Sequence, residues 1–268
     1  EIEQRCYAGL YCPSFGDGLA LCEARALLTD TIPFGTTVQP IYYRQAEDYA
    51  QTTAFIHELA PGRFRFGIGV AHAPSLATRG LAGGKPLEDT RAFVTAYRAA
   101  NRAGALPPVV LATLRRRMIA LAVELGDGLV FANAARSHMA FSLAGVPAEK
   151  RADETFFVAN MIPTCVHDDL ATARAVNRKT LSSYALLPNY RNYWREAGYA
   201  AEMDAVERCV AEQRLDRVGE ALSDQWLDDT TLAGPPSRIR EELARWYEAG
   251  VKTPILVPSS ANGGQLQA

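Results

Sequence analysis

Residues 46–74 read AEDYAQTTAFIHELAPGRFRFGIGVAHAP, and this stretch decides the class of fold. Its first half spaces apolar residues as one face of a helix does: Tyr49, Phe55, Ile56 and Leu59. Pro61 and Gly62 end that helix, and the alternation from Arg63 to Ala71 then predicts a strand. A helix that leads directly into a strand is the repeating unit of a parallel α/β sheet.

The same alternation continues in both directions along the chain. Strand-like runs begin near residues 8, 32, 64, 108, 128, 155 and 253, and the intervals between them are largely helical. Several of these runs are apolar throughout, as strands covered on both faces are. An open doubly wound sheet and a (β/α)8 TIM barrel both fit this pattern. We favour the barrel, because these units and one more before the first would make eight.

The barrel is expected to form a single domain over residues 1–268. The interval from about 168 to 236 is longer than one crossover requires and is interpreted as a helical insertion, and 259–268 as a polar tail. Asp168 or Asp169 is the expected N-cap of the first inserted helix, and Ser237 that of the last helix. The chain starts without Met, in what resembles the last turn of a helix, so we expect the first strand of the barrel to be missing.

Composition excludes several classes of function. Lys plus Arg is 28 and Asp plus Glu is 30, which leaves no basic excess to neutralise a nucleic-acid backbone. The apolar runs are far shorter than the roughly 20 residues of a membrane span. The 5 cysteines form no CxxC pair, as is typical of a cytoplasmic protein. The histidines lie too far apart in sequence for a zinc motif, and no GxSxG or phosphate-binding loop occurs.

In a parallel barrel the functional residues lie at the C-terminal ends of the strands. These ends carry small residues, hydroxyls and one histidine, without a cluster of carboxylates, which suits chemistry that a bound cofactor supplies. The candidate site residues at these ends are Thr37, Val38, Gly69, Ala71, His72, Thr113, Leu114, Arg115 and Asn133. The start of a helix after Arg115 offers backbone N–H groups to a phosphate. Gly67 and Gly69 are expected to leave open space beside His72.

Four stretches together resemble the bacterial luciferase-like oxidoreductases, which use FMN or the deazaflavin coenzyme F420. They are FGTTVQPIYYR (34–44), GRFRFGIGVAHAP (62–74), PPVVLATLRRRMIALAVELGDGLVFANA (107–134) and EAGVKTPILVP (248–258). The resemblance covers nearly the whole chain. It implies a single luciferase-like TIM barrel with a late helical insertion, lacking its first strand here.

The resemblance also implies roles for individual residues. A cis peptide bond between Thr37 and Val38 would support the tricyclic ring of the cofactor, with Gly69, Ala71 and Asn133 among the other contacts. His72 would be the proton donor near the reactive edge of that ring. Thr113, Leu114 and Arg115 would hold the cofactor phosphate, although the glycine usual in this turn is absent. Many relatives have a histidine where Ser14 stands, so this chain departs from the family there.

The function implied is hydride transfer or oxygen insertion on a small organic substrate, with FMN or F420 as cofactor and a homodimer in the cytoplasm. The dimer is expected because a barrel without one strand has unpaired edges. The absence of an Asp-His pair at the second strand favours the flavin slightly.

One alternative is a non-catalytic partner subunit of a luciferase-type heterodimer. Another is a cofactor-free enzyme such as an aldolase, against which the lack of a strand-end lysine argues. Four aromatic residues of the insertion are expected to pack in its interior, and the alternative is that they line a substrate pocket. They are Tyr184, Tyr190, Tyr193 and Trp194.

Overall fold

The computed structural model describes residues 3–5, 7–13, 16–100 and 102–262. These residues form nine strands, β1 to β9, and twelve α-helices, α1 to α12. In chain order they are β1 (Leu10–Cys12), α1 (Gly18–Leu28), β2 (Phe34–Thr36), β3 (Gln39–Pro40), α2 (Ala46–Leu59), β4 (Phe64–Gly69), α3 (Ala73–Ala77), α4 (Pro86–Arg98), β5 (Val109–Ala112), α5 (Arg116–Leu125), β6 (Gly128–Ala132), α6 (Met139–Leu143), α7 (Ala148–Ala152), β7 (Phe157–Val166), α8 (Leu170–Ala185), α9 (Pro188–Glu196), α10 (Ala200–Ala211), α11 (Asp224–Thr230), β8 (Leu232–Gly234), α12 (Pro236–Glu248) and β9 (Thr253–Pro258).

The chain divides into two compact units. The first contains residues up to Val130 together with Val146–Phe157, and the second contains Phe131–Gly145 and the chain from Val158 onward. Each unit is built from parallel strands joined by helices, so the α/β class predicted from the sequence is confirmed.

The sheet of the first unit runs in the order β1, β2, β4, β5, β6, with β3 also paired to β4. All of its pairs are parallel, with Leu10 opposite Phe34, Phe66 opposite Val109, and Val110 opposite Gly128. Aromatic side chains fill the space between this sheet and helices α2 and α4, among them the fully buried Tyr49, Phe66 and Tyr97. The first unit therefore aligns the C-terminal ends of neighbouring strands along one edge of the sheet.

In the second unit, β7 pairs in parallel with both β8 and β9. Thr164 lies opposite Leu232, and Ala159 lies opposite Thr253. Helices α8 to α11 occupy the chain between β7 and β8, and the fully buried Trp194 and Trp226 pack edge to face there, 4.8 Å apart. The predicted insertion is therefore helical, although it ends in the short strand β8.

All seven predicted strand positions are occupied by strands, and within the described residues the structure adds the short β3 and β8. Asp169 is the N-cap of α8 and accepts a hydrogen bond from Ala171 N, as predicted. The expectation for Ser237 is wrong, because α12 starts at Pro236 and Ser237 lies inside its first turn. None of the described helices has the length and hydropathy that a membrane span requires.

Candidate functional site

The connection between β2 and β3 forms the centre of the candidate site in the first unit. Thr37 N donates to Cys12 O at 2.9 Å, and the Thr36 hydroxyl donates to Gly67 O at 2.7 Å. Beyond the connection, Ile41 N donates to Gly69 O at 3.0 Å. The peptide bond between Thr37 and Val38 is cis, as predicted. Thr37 and Val38 are therefore fixed between the ends of β1 and β4.

The two glycines of β4 bring neighbouring strands together and do not open space beside His72, which corrects the expectation from the sequence. A Cβ atom on Gly67 would lie 1.9 Å from Thr36 O. A Cβ atom on Gly69 would lie 2.8 Å from Val38 Cγ2 and 2.9 Å from Ala112 Cβ. Val38 and the ends of β4 and β5 consequently form one apolar surface of small residues, with Val38 half-buried.

His72 follows this surface, after the half-buried Ala71 and just before α3. The imidazole is itself half-buried, and burial lowers the pKa of His72 below its ordinary value of 6.5. Near pH 7 the side chain is therefore mostly uncharged. A neutral imidazole has one N–H donor and one acceptor nitrogen. The role of His72 as a proton donor stays a prediction.

The segment between β4 and α4 is attached to the two tyrosines that follow β3. The Arg79 guanidinium lies 4.2 Å from the centre of the Tyr43 ring. Gly84 N donates to the Tyr42 hydroxyl at 3.4 Å, and that hydroxyl donates to Asp89 at 2.7 Å. Burial and the bond to Asp89 raise the pKa of Tyr42 to about 12. These contacts hold the segment that begins at His72 against the chain after β3.

The turn between β5 and α5 contains Thr113, Leu114 and Arg115. Thr113 N donates to Val130 O at 2.8 Å, while the Thr113 hydroxyl is buried without a hydrogen-bond partner among the described residues. Arg115 is the N-cap residue of α5, and no side chain caps that helix. A buried hydroxyl beside an uncapped helix start offers hydrogen-bond donors to a phosphate. This turn fits the phosphate of a cofactor.

Asn133 lies in the second unit, directly after β6. Its backbone is in the left-handed region with φ 55°, a conformation that asparagine tolerates better than most residues. Asn133 N donates to Met161 O at 3.0 Å, and Trp194 Nε1 donates to Asn133 O at 3.1 Å. The structure therefore fixes the backbone of Asn133 within its own unit.

Three of the four aromatic residues of the insertion are packed in the interior of the second unit, as first interpreted. Tyr190, Tyr193 and Trp194 are at most 4% exposed. The Tyr193 hydroxyl also accepts a hydrogen bond from Ala135 N at 3.1 Å. Sequence reasoning missed this anchoring role, and it also missed Asn160, whose Oδ1 accepts from Ala134 N at 3.3 Å. The sequence signal that could have identified Asn160 is its position as the one amide within the apolar run FVANMIPTCV.

Two further residues lie away from these strand ends or outside the described residues. His57 lines a cavity of about 670 Å³ in the first unit, together with Arg98, Asp127 and Lys150. Val109, the first residue of β5, also lines this cavity, so the cavity lies at the opposite end of β5 from Thr113. Ser14 lies outside the described residues. Among the described residues, no group of three or more His, Cys, Asp or Glu side chains can hold a metal ion.

Comparison with known proteins places this geometry in a family. A relative from Mycobacterium tuberculosis, named as a coenzyme F420-dependent oxidoreductase, is 26% identical over 166 residues, which are 58% of this chain and 48% of that protein. The chain therefore matches about half the length of this curated relative.

Two solved structures share the fold. The coenzyme F420 dependent tetrahydromethanopterin reductase from Methanopyrus kandleri has a TM-score of 0.73 and 12% identity, with 94% of this chain and 85% of that chain covered. The oxygenating constituent of 3,6-diketocamphane monooxygenase from Pseudomonas putida, solved with FMN, has a TM-score of 0.60 and 13% identity, with 92% and 82% covered. These likenesses confirm the TIM-barrel class of the predicted fold.

The family model of the luciferase-like monooxygenases matches residues 12–253. That range includes every candidate site residue, and it runs from the end of β1 to the start of β9. The chain belongs to the luciferase-like monooxygenase family of oxidoreductases.

Proposed function

We propose that the protein is an oxidoreductase that binds FMN or coenzyme F420 at the C-terminal strand ends of its first unit and acts on a small organic molecule. The observation that carries the proposal is the apolar surface of Val38, Gly69 and Ala112, next to the Thr113 hydroxyl, which has no hydrogen-bond partner among the described residues. A flat apolar surface suits a tricyclic ring, and the turn after it suits a phosphate. In their reduced forms both cofactors supply a hydride, and reduced FMN also activates oxygen.

Each candidate residue has a defined part in this proposal. Thr37, Val38, Gly69 and Ala71 contact the ring, and the close packing of Gly69 against Val38 and Ala112 fixes its position. Thr113, Leu114 and Arg115 bind the phosphate through a hydroxyl, backbone N–H groups and a guanidinium. His72 exchanges a proton with the substrate, and Asn133, which lies in the second unit, stays a predicted cofactor contact. The solved neighbours include one named for F420 and one solved with FMN, so both cofactors are tested.

Direct titration tests the proposal. Reduced and oxidised FMN, and F420, are added to the protein, and the cofactor fluorescence is followed. We expect micromolar or tighter binding of at least one of them. Binding of none would remove the enzyme proposal and leave the non-catalytic partner subunit as the better interpretation.

Arg115→Ala is expected to weaken FMN binding about tenfold, because a charge-assisted hydrogen bond to phosphate contributes about 1.5 kcal/mol or more. Riboflavin has the same ring without the phosphate, so its affinity is expected to stay constant. Both affinities follow from fluorescence titration of the wild type and the variant. Arg240→Ala is the control, because Arg240 is exposed on α12 in the second unit. Equal losses for FMN and riboflavin would contradict a phosphate contact.

His72→Gln is expected to flatten the pH dependence of stability between pH 7.5 and 5. Burial lowers the pKa of His72, so the unfolded chain binds this proton more readily than the folded chain does. The stability that this group contributes is therefore present above pH 6.5, and it is lost as the pH falls through the lower folded pKa. Urea unfolding at each pH measures the effect. If the unfolding free energies of wild type and variant changed with pH in the same way, His72 would not be buried as a neutral group.

The same variant tests the catalytic role. We expect His72→Gln to bind the cofactor with unchanged affinity and to lose about 100-fold or more in turnover, the usual contribution of a positioned acid or base. Stopped-flow oxidation of the bound reduced cofactor, with a substrate found by screening ketones, aldehydes and alkenes, measures this loss. Unchanged turnover would exclude His72 from proton transfer.

A further inference from the structure

The cavity of about 670 Å³ in the first unit lies at the N-terminal end of β5, away from the candidate site. Its volume is within the range of small-molecule binding sites, about 300–1,000 Å³. Val109 lines the cavity, whereas Thr113 follows the other end of β5. A strand rises about 3.3 Å per residue, so about 13 Å separate these two positions. A ligand in this cavity would therefore occupy a place that the proposed function does not use.

The backbone around the cavity is held by hydrogen bonds within the protein. Phe66 N donates to Pro108 O at 2.9 Å. Asp127 N donates to Val109 O, and Val109 N donates to Asp127 Oδ2, both at 2.8 Å. Gly126 permits the tight turn before β6, because a Cβ atom there would lie 2.8 Å from a backbone oxygen of α5. A cavity whose walls are already ordered loses less entropy when a ligand binds.

The residues that line the cavity fall into two groups. Tyr97, Val109 and Phe156 are buried and form an apolar floor. Arg98 and Asp127 are exposed and form part of a charged rim. A ligand with an apolar body and a charged end matches this division.

Two cations that line the cavity, Arg98 and Lys150, retain N–H donors. Nη2 of Arg98 lies 3.5 Å from Oδ2 of Asp127, which is longer than a charge-assisted hydrogen bond. Nζ of Lys150 donates to Val123 O at 2.6 Å and lies 4.9 Å from the centre of the Phe156 ring. An ammonium group has three donors and a guanidinium has five, so both side chains can donate to a ligand as well.

The carboxylates that line the cavity accept hydrogen bonds from the protein itself. Oδ2 of Asp127 accepts from Val109 N, and Oδ1 of Asp153 accepts from Thr155 N at 2.8 Å and from the Thr155 hydroxyl at 2.7 Å. The donors of the cations are thus better placed to serve a ligand than the acceptors of the carboxylates are, which favours an anion. The two carboxylates also repel negative charge, so a ligand with one negative charge fits better than a dianion such as a phosphate monoester.

We propose that this cavity binds a small organic carboxylate that carries an apolar ring or chain. The carboxylate accepts hydrogen bonds from Arg98 and Lys150, and the apolar part lies on the floor formed by Tyr97, Val109 and Phe156. The inference goes beyond the proposed function and does not rest on it, because the cavity and the candidate site lie at opposite ends of β5.

Naphthoate, naphthamide and naphthyl phosphate are the probes, because they share one ring system and differ in charge. Isothermal titration calorimetry measures their binding, with and without FMN. We expect the wild type to bind naphthoate more tightly than the neutral amide and the dianionic phosphate. FMN is expected to leave the affinity for naphthoate unchanged, since the two ligands occupy different places.

Arg98→Gln and Lys150→Gln are each expected to weaken naphthoate binding about tenfold, because each removes a charge-assisted hydrogen bond. Arg102→Gln and Arg151→Gln are the matched controls and are expected to bind as the wild type does. Both control residues are exposed, lie in the first unit and do not line the cavity. Circular dichroism and thermal unfolding verify that each variant is folded.

A second measurement needs no variant. Glycine-selective isotope labelling and NMR follow the amide of Gly126, which lines the cavity, and that of Gly219 in the second unit. Naphthoate is expected to shift the Gly126 signal and not the Gly219 signal.

Four results would each overturn the carboxylate site. They are no binding of naphthoate at millimolar concentration, equal or tighter binding of the amide or the phosphate, equal affinity of the folded Arg98→Gln and Lys150→Gln variants and the wild type, and displacement of naphthoate by FMN. Failure of the proposed function is a separate outcome, because it is measured by FMN and F420 binding in the absence of naphthoate.

Discussion

Gly67→Ala is expected to destabilise the protein by about 3 kcal/mol, at the upper end of what overpacking costs. The new Cβ atom would lie 1.9 Å from Thr36 O and 3.0 Å from Thr36 C. These are backbone atoms of the neighbouring strand, so no side chain can rotate to relieve the overlap. The Thr36 hydroxyl also donates to Gly67 O at 2.7 Å, which keeps the two residues together. Urea unfolding followed by circular dichroism measures the loss.

Gly219→Ala is the control for this substitution. The nearest atom to a Cβ at Gly219 is Ser182 Oγ at 3.4 Å, which is ordinary contact. Its effect is therefore expected to stay within about 0.5 kcal/mol of zero. A Gly67→Ala variant as stable as this control would mean that β2 and β4 do not approach as described. Loss of cofactor binding in a folded Gly67→Ala protein would in turn show that the approach shapes the site.

Trp194→Ala is expected to cost about 3–5 kcal/mol of unfolding free energy, the range observed when a buried large aromatic residue is removed. Trp194 is 0% exposed, and its ring lies 4.8 Å from that of Trp226 and 5.3 Å from that of Tyr190. The indole N–H also donates to Asn133 O at 3.1 Å, so the substitution removes packing and a hydrogen bond together. Chemical unfolding and the near-ultraviolet circular dichroism of the remaining tryptophans measure the effect.

Trp194→Phe separates the two contributions. It keeps part of the packing and removes the N–H donor, so a smaller loss that includes about 1 kcal/mol for the hydrogen bond is expected. Tyr247→Ala serves as the surface control, because that side chain is 57% exposed. If Trp194→Ala were no more destabilising than Tyr247→Ala, the aromatic cluster would not be the core of the insertion.

The strands were predictable because their signal is local. Alternation within RFRFGIGVA and the apolar run PPVVLATL each contain enough residues to identify a buried strand. The two strands that were missed, β3 with two residues and β8 with three, are too short to show a period. The residue at which a helix starts is decided by the chemistry of only one or two residues, so it is harder to predict. Asp169 was recognised, whereas Pro235 and Pro236 displaced the expected start at Ser237, since proline favours the first helical position.

The positions of the candidate site residues along the chain could be predicted from the sequence, but the contacts that these residues make could not. Strand ends can be counted along the chain, so the positions of Thr37, His72 and Thr113 after β2, β4 and β5 could be predicted. What each glycine faces cannot be read from the sequence, and Gly67 and Gly69 were therefore assigned open space where the structure has Thr36, Val38 and Ala112. The pairing of Asn160 with Ala134 joins residues far apart in the chain. Such non-local hydrogen bonds leave no periodic signal.

The attachment of the segment after β4 has a consequence for the pace of ligand exchange. Lifting this segment away from β3 requires breaking the Arg79–Tyr43 contact and the Gly84–Tyr42 hydrogen bond together. Collective openings of this kind occur over microseconds to milliseconds, whereas unattached loops move within nanoseconds to microseconds. A molecule whose path crosses Tyr42 and Tyr43 therefore arrives and departs at the slower of these rates, however fast the chemical step.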